Sequence, residues 1–158
     1  MYDELKKLIS QKDKRILFVG IGNLLKMDDG VGVYISSNIK QTDTVSSLTV
    51  EVSIENYIGK INSLNPDILV LIDCVDLKSK PGTYKLLSIN KIQDLTFNTH
   101  NISLKKISDF FSMPVFVLGI QPEKIAFGEN ISYLVKNVAD KIINRINHIN
   151  TQEVHHGC

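Results

Sequence analysis

Strand-like and helix-like segments alternate along this chain, and that alternation is the feature that most limits its possible folds. Asp67–Asp73 (DILVLID) is almost entirely apolar, as is typical of a central strand covered on both faces. Four more strands are predicted at Arg15–Ile21, Ser47–Ser53, Thr83–Ile89 and Pro114–Ile120. Helices are predicted at Asp3–Ser10, Asp29–Lys40, Glu55–Leu64, Asn101–Phe111 and Asn130–Ile149. This order predicts an α/β domain with a twisted, mostly parallel five-stranded sheet and helices on both faces.

Length, charge and cysteine content indicate a single-domain intracellular protein. The 158 residues fit one domain, expected over 1–150 and followed by a flexible tail at 151–158. A net charge of +1 gives no electrostatic basis for binding nucleic acid or an anionic membrane. No apolar run is long enough to cross a bilayer, and Met1–Ser10 lacks the features of a signal peptide. Cys74 and Cys158 lie far apart without metal-site spacing, so we expect a reduced, cytoplasmic protein.

A glycine-rich stretch, Val19–Gly32 (VGIGNLLKMDDGVG), joins the first predicted strand to the first main helix. A glycine turn at this position suggests a dinucleotide-binding fingerprint. Two features oppose it: Leu25 stands where the third glycine belongs, and Asp28 and Asp29 put negative charge where a pyrophosphate would bind. The two carboxylates either cap the helix N-terminus or hold a cation at the strand end, and both interpretations stay open.

Three side chains are expected to meet at one edge of the predicted sheet. Ligands of such sheets bind outside the carboxyl ends of the strands. Asp29 and Asp73 follow or end two predicted strands, and His100 lies in a loop before a helix. Two carboxylates and an imidazole suit a borderline divalent ion such as zinc or nickel. Taken singly, Asp73 could cap a turn with Asp76, and His100 could be an ordinary loop histidine.

Four segments of the chain together carry a family resemblance: GIGNLLKMDDGVG, LIDCVDLKSKPGTY, THNISL and VFVLGIQPEKIAFG. They resemble, in that order, the signature, the D-A-x-D strand end with its P-G-T turn, the T/S-H-N segment and the G-I-Q-P segment of the nickel–iron hydrogenase maturation endopeptidases. The resemblance spans Arg15 to Ile143. Glu55-Asn56 and the G-I-Q-P segment are most similar to the branch that processes hydrogenase 3, the formate-hydrogenlyase type.

The resemblance implies a phosphorylase/hydrolase-like domain and a specific activity. Members of this family are endopeptidases that remove a short C-terminal extension from the hydrogenase large-subunit precursor after nickel insertion. The family's metal-contacting and catalytic positions fall on Asp29, Asp73 and His100, with nickel presented by the precursor. Two roles stay open: the metal orients the scissile peptide and polarises its carbonyl or activates water, or a carboxylate, with Asp29 as the leading candidate, acts as general base. We therefore expect a monomeric peptidase of aspartyl type that acts on this precursor, without nucleic acid or membrane partners.

Several other positions carry expectations of their own. Cys74 stands where the family often has alanine, and a small buried thiol is the favoured interpretation. Gln121 and Glu123, at the end of the fifth predicted strand, are hypothesised to line the cleft for the substrate tail. The remaining positions that match the signature, and that would shape its turn, are Gly20, Gly22, Asn23, Gly30 and Gly32.

Three alternative functions stay open on the sequence. A Rossmann-type nucleotide-binding module would need the glycine that Leu25 replaces. A non-catalytic nickel chaperone of the same fold would bind nickel tightly by itself and cut nothing. A related peptidase would act on another precursor, such as a spore protein, although the H-N and G-I-Q-P segments argue against it.

Overall fold

The computed structural model describes residues 4–91 and 104–156, with side chains described up to residue 148. Within these ranges five strands form one sheet: β1 (Ile16–Ile21), β2 (Val45–Glu51), β3 (Ile68–Cys74), β4 (Tyr84–Ser88) and β5 (Val115–Ile120). The strand order is β2-β1-β3-β5-β4, and among these strands only β4 runs antiparallel to its neighbour. The predicted α/β fold with a five-stranded, mostly parallel sheet is confirmed.

Helices connect the strands at the predicted places, although most are shorter than predicted. In the described ranges they are α1 (Glu4–Ile9), α2 (Val31–Ser36), α3 (Ile58–Leu64), α4 (Leu104–Ile107) and α5 (Tyr133–His156). Short 3-10 helices lie at Met27–Gly30, Ile54–Tyr57, Ile89–Lys91 and Ser108–Phe110. Because α5 continues to His156, it passes the predicted start of the tail at residue 151. The flexibility of 151–158 stays a prediction.

Two apolar layers cover the two faces of the sheet. On one face, α1, α2 and α5 pack on Ile16 and Phe18 of β1 and on Val70 and Ile72 of β3. On the other face, side chains from α3 and α4 pack on the alternate residues of the same strands. All seven residues of β3 are buried, which is why its sequence is almost purely apolar. The described part of the chain contains no helix with the length and hydropathy of a membrane span.

Close backbone packing fixes α2 over the carboxyl ends of β1 and β3. A Cβ atom on Gly32 would lie 2.2 Å from the carbonyl oxygen of Ile72 and 2.4 Å from that of Ile21. A Cβ on Gly20 would lie 2.0 Å from the hydroxyl oxygen of Ser36. Only glycine permits this approach. The packing sets where the segment before α2 crosses the edge of the sheet.

Candidate active site

Asp29 lies in the 3-10 helix Met27–Gly30, which we call the acidic turn, between β1 and α2. Its side chain is fully buried, and the backbone N–H of Asn23 donates to its Oδ2 at 2.9 Å. Gly22 has a φ of 147° and passes so close that a Cβ there would lie 2.0 Å from the carbonyl oxygen of Asp29. The matched glycine and asparagine therefore shape the turn around this carboxylate, as predicted.

Asp73 is the sixth residue of β3, next to its carboxyl end, and only 1% of it is exposed. The backbone N–H of Cys74 donates to its Oδ1 at 2.8 Å, which fixes one edge of the carboxylate. The turn that follows is held by Asp76, whose Oδ1 accepts the backbone N–H of Lys78 at 3.0 Å. The plainer interpretation was that Asp73 and Asp76 cap this turn together. In the structure, Asp76 accepts a hydrogen bond from the backbone of the turn.

Burial and the negative charges of Asp28, Asp29 and Asp73 both act on the thiol of Cys74. This thiol is fully buried, and burial is the main cause that raises its pKa far above the ordinary value. The negative charges of Asp73, Asp29 and Asp28 raise the pKa of Cys74 further, in that order. Asp29 follows β1 and Asp73 lies near the end of β3, beside the carboxyl ends of two paired parallel strands. That their carboxylates act as one site stays a prediction. Cys74 is the small buried thiol that the sequence favoured, since a protonated thiol is a weak nucleophile.

Asp28 has a different task from its neighbour Asp29. Its Oδ2 accepts the backbone N–H groups of Glu123 and Lys124, both at 2.9 Å, and the hydroxyl of Ser132 at 2.8 Å. Its Oδ1 accepts the backbone N–H of Ser132 at 2.6 Å. These bonds tie the acidic turn to the loop between β5 and α5. Asp28 is therefore a buried structural carboxylate.

The interpretation of the acidic pair as helix N-caps is wrong. In the described structure the N-cap positions are Lys26 for the acidic turn and Gly30 for α2, and neither makes a side-chain capping bond. The two carboxylates lie inside the 3-10 helix, where Asp28 reaches the β5–α5 loop and Asp29 receives the N–H of Asn23.

Gln121 and Glu123 lie at the end of β5, where the sequence placed them. The Oε1 of Gln121 accepts the backbone N–H of Leu77 at 2.6 Å, so this side chain braces the loop that leads from β3 to β4. Glu123 has an exposed side chain, and its backbone N–H donates to Asp28. Their proposed role in lining a substrate cleft stays a hypothesis.

Glu55 is a further carboxylate that the strand-end argument passed over. It lies in the 3-10 helix Ile54–Tyr57, directly after β2, and its Oε2 is buried without a hydrogen-bond partner in the described structure. The available signal was its position just beyond a predicted strand. In the sequence, Glu55 was singled out only because Glu55-Asn56 resembles the hydrogenase 3 branch of the family.

The candidate metal ligands that the structure describes at this end of the sheet are carboxylate oxygens. Asp29 and Asp73 supply two buried carboxylates, a ligand type that suits divalent ions. Among the side chains described for residues 4–91 and 104–148, no group of three His, Cys, Asp or Glu is arranged to hold a metal ion. His100 lies outside the described residues, so its membership of the site stays a prediction.

Comparisons with known proteins agree on one family. The model of the HycI hydrogenase maturation protease family matches residues 51–149. A Methanocaldococcus jannaschii protein with the provisional name hydrogenase maturation protease is 29% identical, over 84% of this chain and 86% of its own. The Escherichia coli hydrogenase 3 maturation protease is 24% identical, over 80% of this chain and 85% of its own.

Solved structures give the same result for the whole fold. The crystal structure of a NiFe hydrogenase maturation protease HycI from Thermococcus kodakarensis superposes with a TM-score of 0.80 at 25% identity. That alignment covers 93% of this chain and 98% of the other. The sequence motifs, the fold and the family match all lead to one conclusion: the chain belongs to the hydrogenase maturation protease family.

Proposed function

We propose that this enzyme removes the C-terminal extension from the large-subunit precursor of a nickel–iron hydrogenase after nickel has been inserted. The observation that carries the proposal is that two carboxylates, Asp29 after β1 and Asp73 near the end of β3, are both buried beside the carboxyl ends of paired parallel strands. The names of the relatives support a hydrogenase precursor as the substrate. The family model and the relatives carry the name of maturation proteases, which supports a peptidase over a nucleotide-binding module or a nickel chaperone.

The precursor presents nickel as part of the substrate, and the enzyme's carboxylates recognise it. Asn23 and Cys74 donate backbone N–H groups to Asp29 and Asp73, and hydrogen bonds of this kind orient ligating carboxylates. His100 would add an imidazole nitrogen, which suits nickel as well as the oxygens do. Asp29, Asp73 and His100 would hold the nickel of the precursor, and the bound ion would supply Lewis acidity at the scissile carbonyl.

Peptide hydrolysis at this edge needs a base rather than a protein nucleophile. Asp29 takes a proton from water as the water oxygen attacks the scissile carbonyl carbon, and the proton passes to the departing amine. The carbon–nitrogen bond then breaks, releasing the extension with a free amino group. Cys74 does not act as the nucleophile, because burial and three nearby carboxylates keep its thiol protonated.

Single substitutions of the three proposed residues test this assignment. Asp29→Asn, Asp73→Asn and His100→Ala should each lower the rate of processing of a nickel-loaded precursor by about 100-fold or more, as expected for lost ligands or a lost base. Mass spectrometry of the precursor's C-terminus measures the cleavage. Asp76→Asn is the matched control, because this carboxylate lies just beyond β3 with 43% of its side chain exposed. Full processing by all three site variants would refute the assigned site.

The proposal includes a cytoplasmic monomer as the working form. The net charge of +1 and the well-separated cysteines support an intracellular location without a membrane or nucleic acid partner. Light scattering after gel filtration measures the mass, for which a monomer gives 17.8 kDa.

A further inference from the structure

Four large apolar side chains lie exposed on segments that precede the acidic turn or belong to the β5–α5 loop and the start of α5, which are hydrogen-bonded to that turn and the residues before it. Leu24 and Leu25 are 43% and 50% exposed, and Phe127 and Tyr133 are 88% and 84% exposed. We call these four residues the apolar rim. Single exposed leucines are common on monomers, but neighbouring aromatic and aliphatic side chains with this exposure are typical of protein-binding surfaces.

Backbone hydrogen bonds place the two loops of the apolar rim side by side. The N–H of Gly128 donates to the carbonyl oxygen of Leu25 at 2.8 Å, and the N–H of Met27 donates to that of Gly128 at 2.8 Å. Lys26 and Gly128 form a parallel bridge between the same segments. Leu25 and Phe127 therefore lie on adjacent, paired stretches of backbone.

The same network joins the apolar rim to the candidate active site. Ser132, directly before Tyr133, donates both its backbone N–H and its hydroxyl to Asp28. Asp28 and Asp29 are consecutive residues of the acidic turn. An extended peptide advances about 3.3 Å per residue. Leu25 lies four residues before Asp29, at most about 15 Å away between Cα atoms. A substrate whose scissile bond lies at Asp29 can therefore reach this part of the apolar rim within about five residues.

We propose that the apolar rim docks the hydrogenase large-subunit precursor by taking apolar side chains that flank the scissile bond. This inference rests on the proposed function, because it names the surface beside the same site that holds the substrate. The occupant follows from continuity: the hydrogen bonds that fix the acidic turn also fix the rim, so the protein presented to Asp29 covers both. Burial of such side chains supplies binding energy.

A pair of double variants tests the docking surface. Leu25→Ser with Phe127→Ser alters the apolar rim. Leu64→Ser with Phe110→Ser is the matched control, because these residues are 46% and 64% exposed and precede β3 and β5, at the opposite edge of the sheet. With nickel-loaded precursor as substrate, the rim variant should raise KM about tenfold or more, with the loss concentrated in KM rather than kcat. The control variant should stay within about twofold of wild type in both constants.

Each outcome separates docking from catalysis. An unchanged KM in the rim variant, with processing abolished by Asp29→Asn, would overturn the docking surface and leave the proposed function intact. If the wild-type enzyme neither binds nor cleaves the nickel-loaded precursor, the proposed function and the docking surface fall together. If sedimentation shows that the wild type is a dimer and the rim variant a monomer, and the two have the same KM, then the surface binds a second copy and the proposal is wrong. Thermal denaturation confirms folding, and Tyr133→Ser is the substitute if the double variant fails to fold.

Discussion

Asp28 and Asp29 are consecutive acidic residues with different tasks. The partners of Asp28 lie 95, 96 and 104 residues further along the chain, in the loop after β5 and at the start of α5. No local pattern predicts such partners, and so the capping interpretation failed. Asp29 could be selected from the sequence because strand ends meet at one edge of an α/β sheet. The strand-end rule thus indicates where a site lies, whereas long-range contacts decide that Asp28 is structural and that Asp29 is the candidate site residue.

Cys74 makes a prediction about stability at alkaline pH. In the folded protein the pKa of the thiol is raised, mainly by burial and further by the charges of Asp73 and Asp29. In an unfolded chain a thiol has a pKa of about 8.5. Below that pH both states keep the proton. As the pH rises above it, only the unfolded chain ionises, so the free energy of unfolding falls. Between about pH 8 and pH 9.5 the wild type should lose about 1 kcal/mol more stability than Cys74→Ala.

Urea unfolding at several pH values measures this difference. Cys158 and the tyrosines are present in both proteins, and so their titration cancels in the comparison. Parallel stability profiles for wild type and Cys74→Ala would show that the thiol is not shielded in the folded state.

At the scale of elements, the helix over Asp29–Lys40 shows what periodicity misses. The apolar pattern predicts one long helix, yet the chain forms the acidic turn and then the six-residue α2. The hydroxyls of Ser36 and Ser37 donate to the carbonyl oxygen of Val33, an alternative to continued helical bonding at its end. Strand positions were predicted better, because buried β1 and β3 need unbroken apolar sequence.

Gly32 and Gly59 make opposite predictions for the same substitution. Alanine at Gly32 places a Cβ against backbone oxygens of Ile72 and Ile21, so α2 must move off the sheet. Gly32→Ala should destabilise the protein by about 3 kcal/mol in urea unfolding and impair processing, because the acidic turn moves with α2. Gly59 lies in α3, where a Cβ would meet no atom within 4 Å, and Gly59→Ala should stabilise the protein by about 0.5 kcal/mol. Equal effects at the two positions would contradict the close packing of α2 on the sheet.

For the whole molecule, alternation of strands and helices was enough to predict the architecture, and the strand-end rule was enough to place Asp29 and Asp73 beside the carboxyl ends of neighbouring strands. The apolar rim was not predictable from the sequence. Phe127 and Tyr133 lie in or directly after the loop between β5 and α5, and no local pattern marks them. Their exposure depends on the hydrogen bonds that this loop makes to Asp28. Glu55 escaped notice for a related reason, because burial of one carboxylate oxygen is a property of the folded chain. Sequence patterns thus predict that the candidate site lies at the carboxyl ends of the strands. Long-range contacts determine which other side chains, such as Glu55 and the apolar rim, are buried or exposed.

The most direct test of the account compares nickel-loaded and nickel-free precursors of a hydrogenase large subunit. Each is incubated with the wild-type enzyme, and the precursor's C-terminus is followed by mass spectrometry. Recognition of substrate-borne nickel by Asp29 and Asp73 predicts that the extension is lost from the nickel-loaded form alone, and that Asp29→Asn prevents this loss. Equal cleavage of both forms, or cleavage of neither, would contradict a nickel-dependent maturation peptidase.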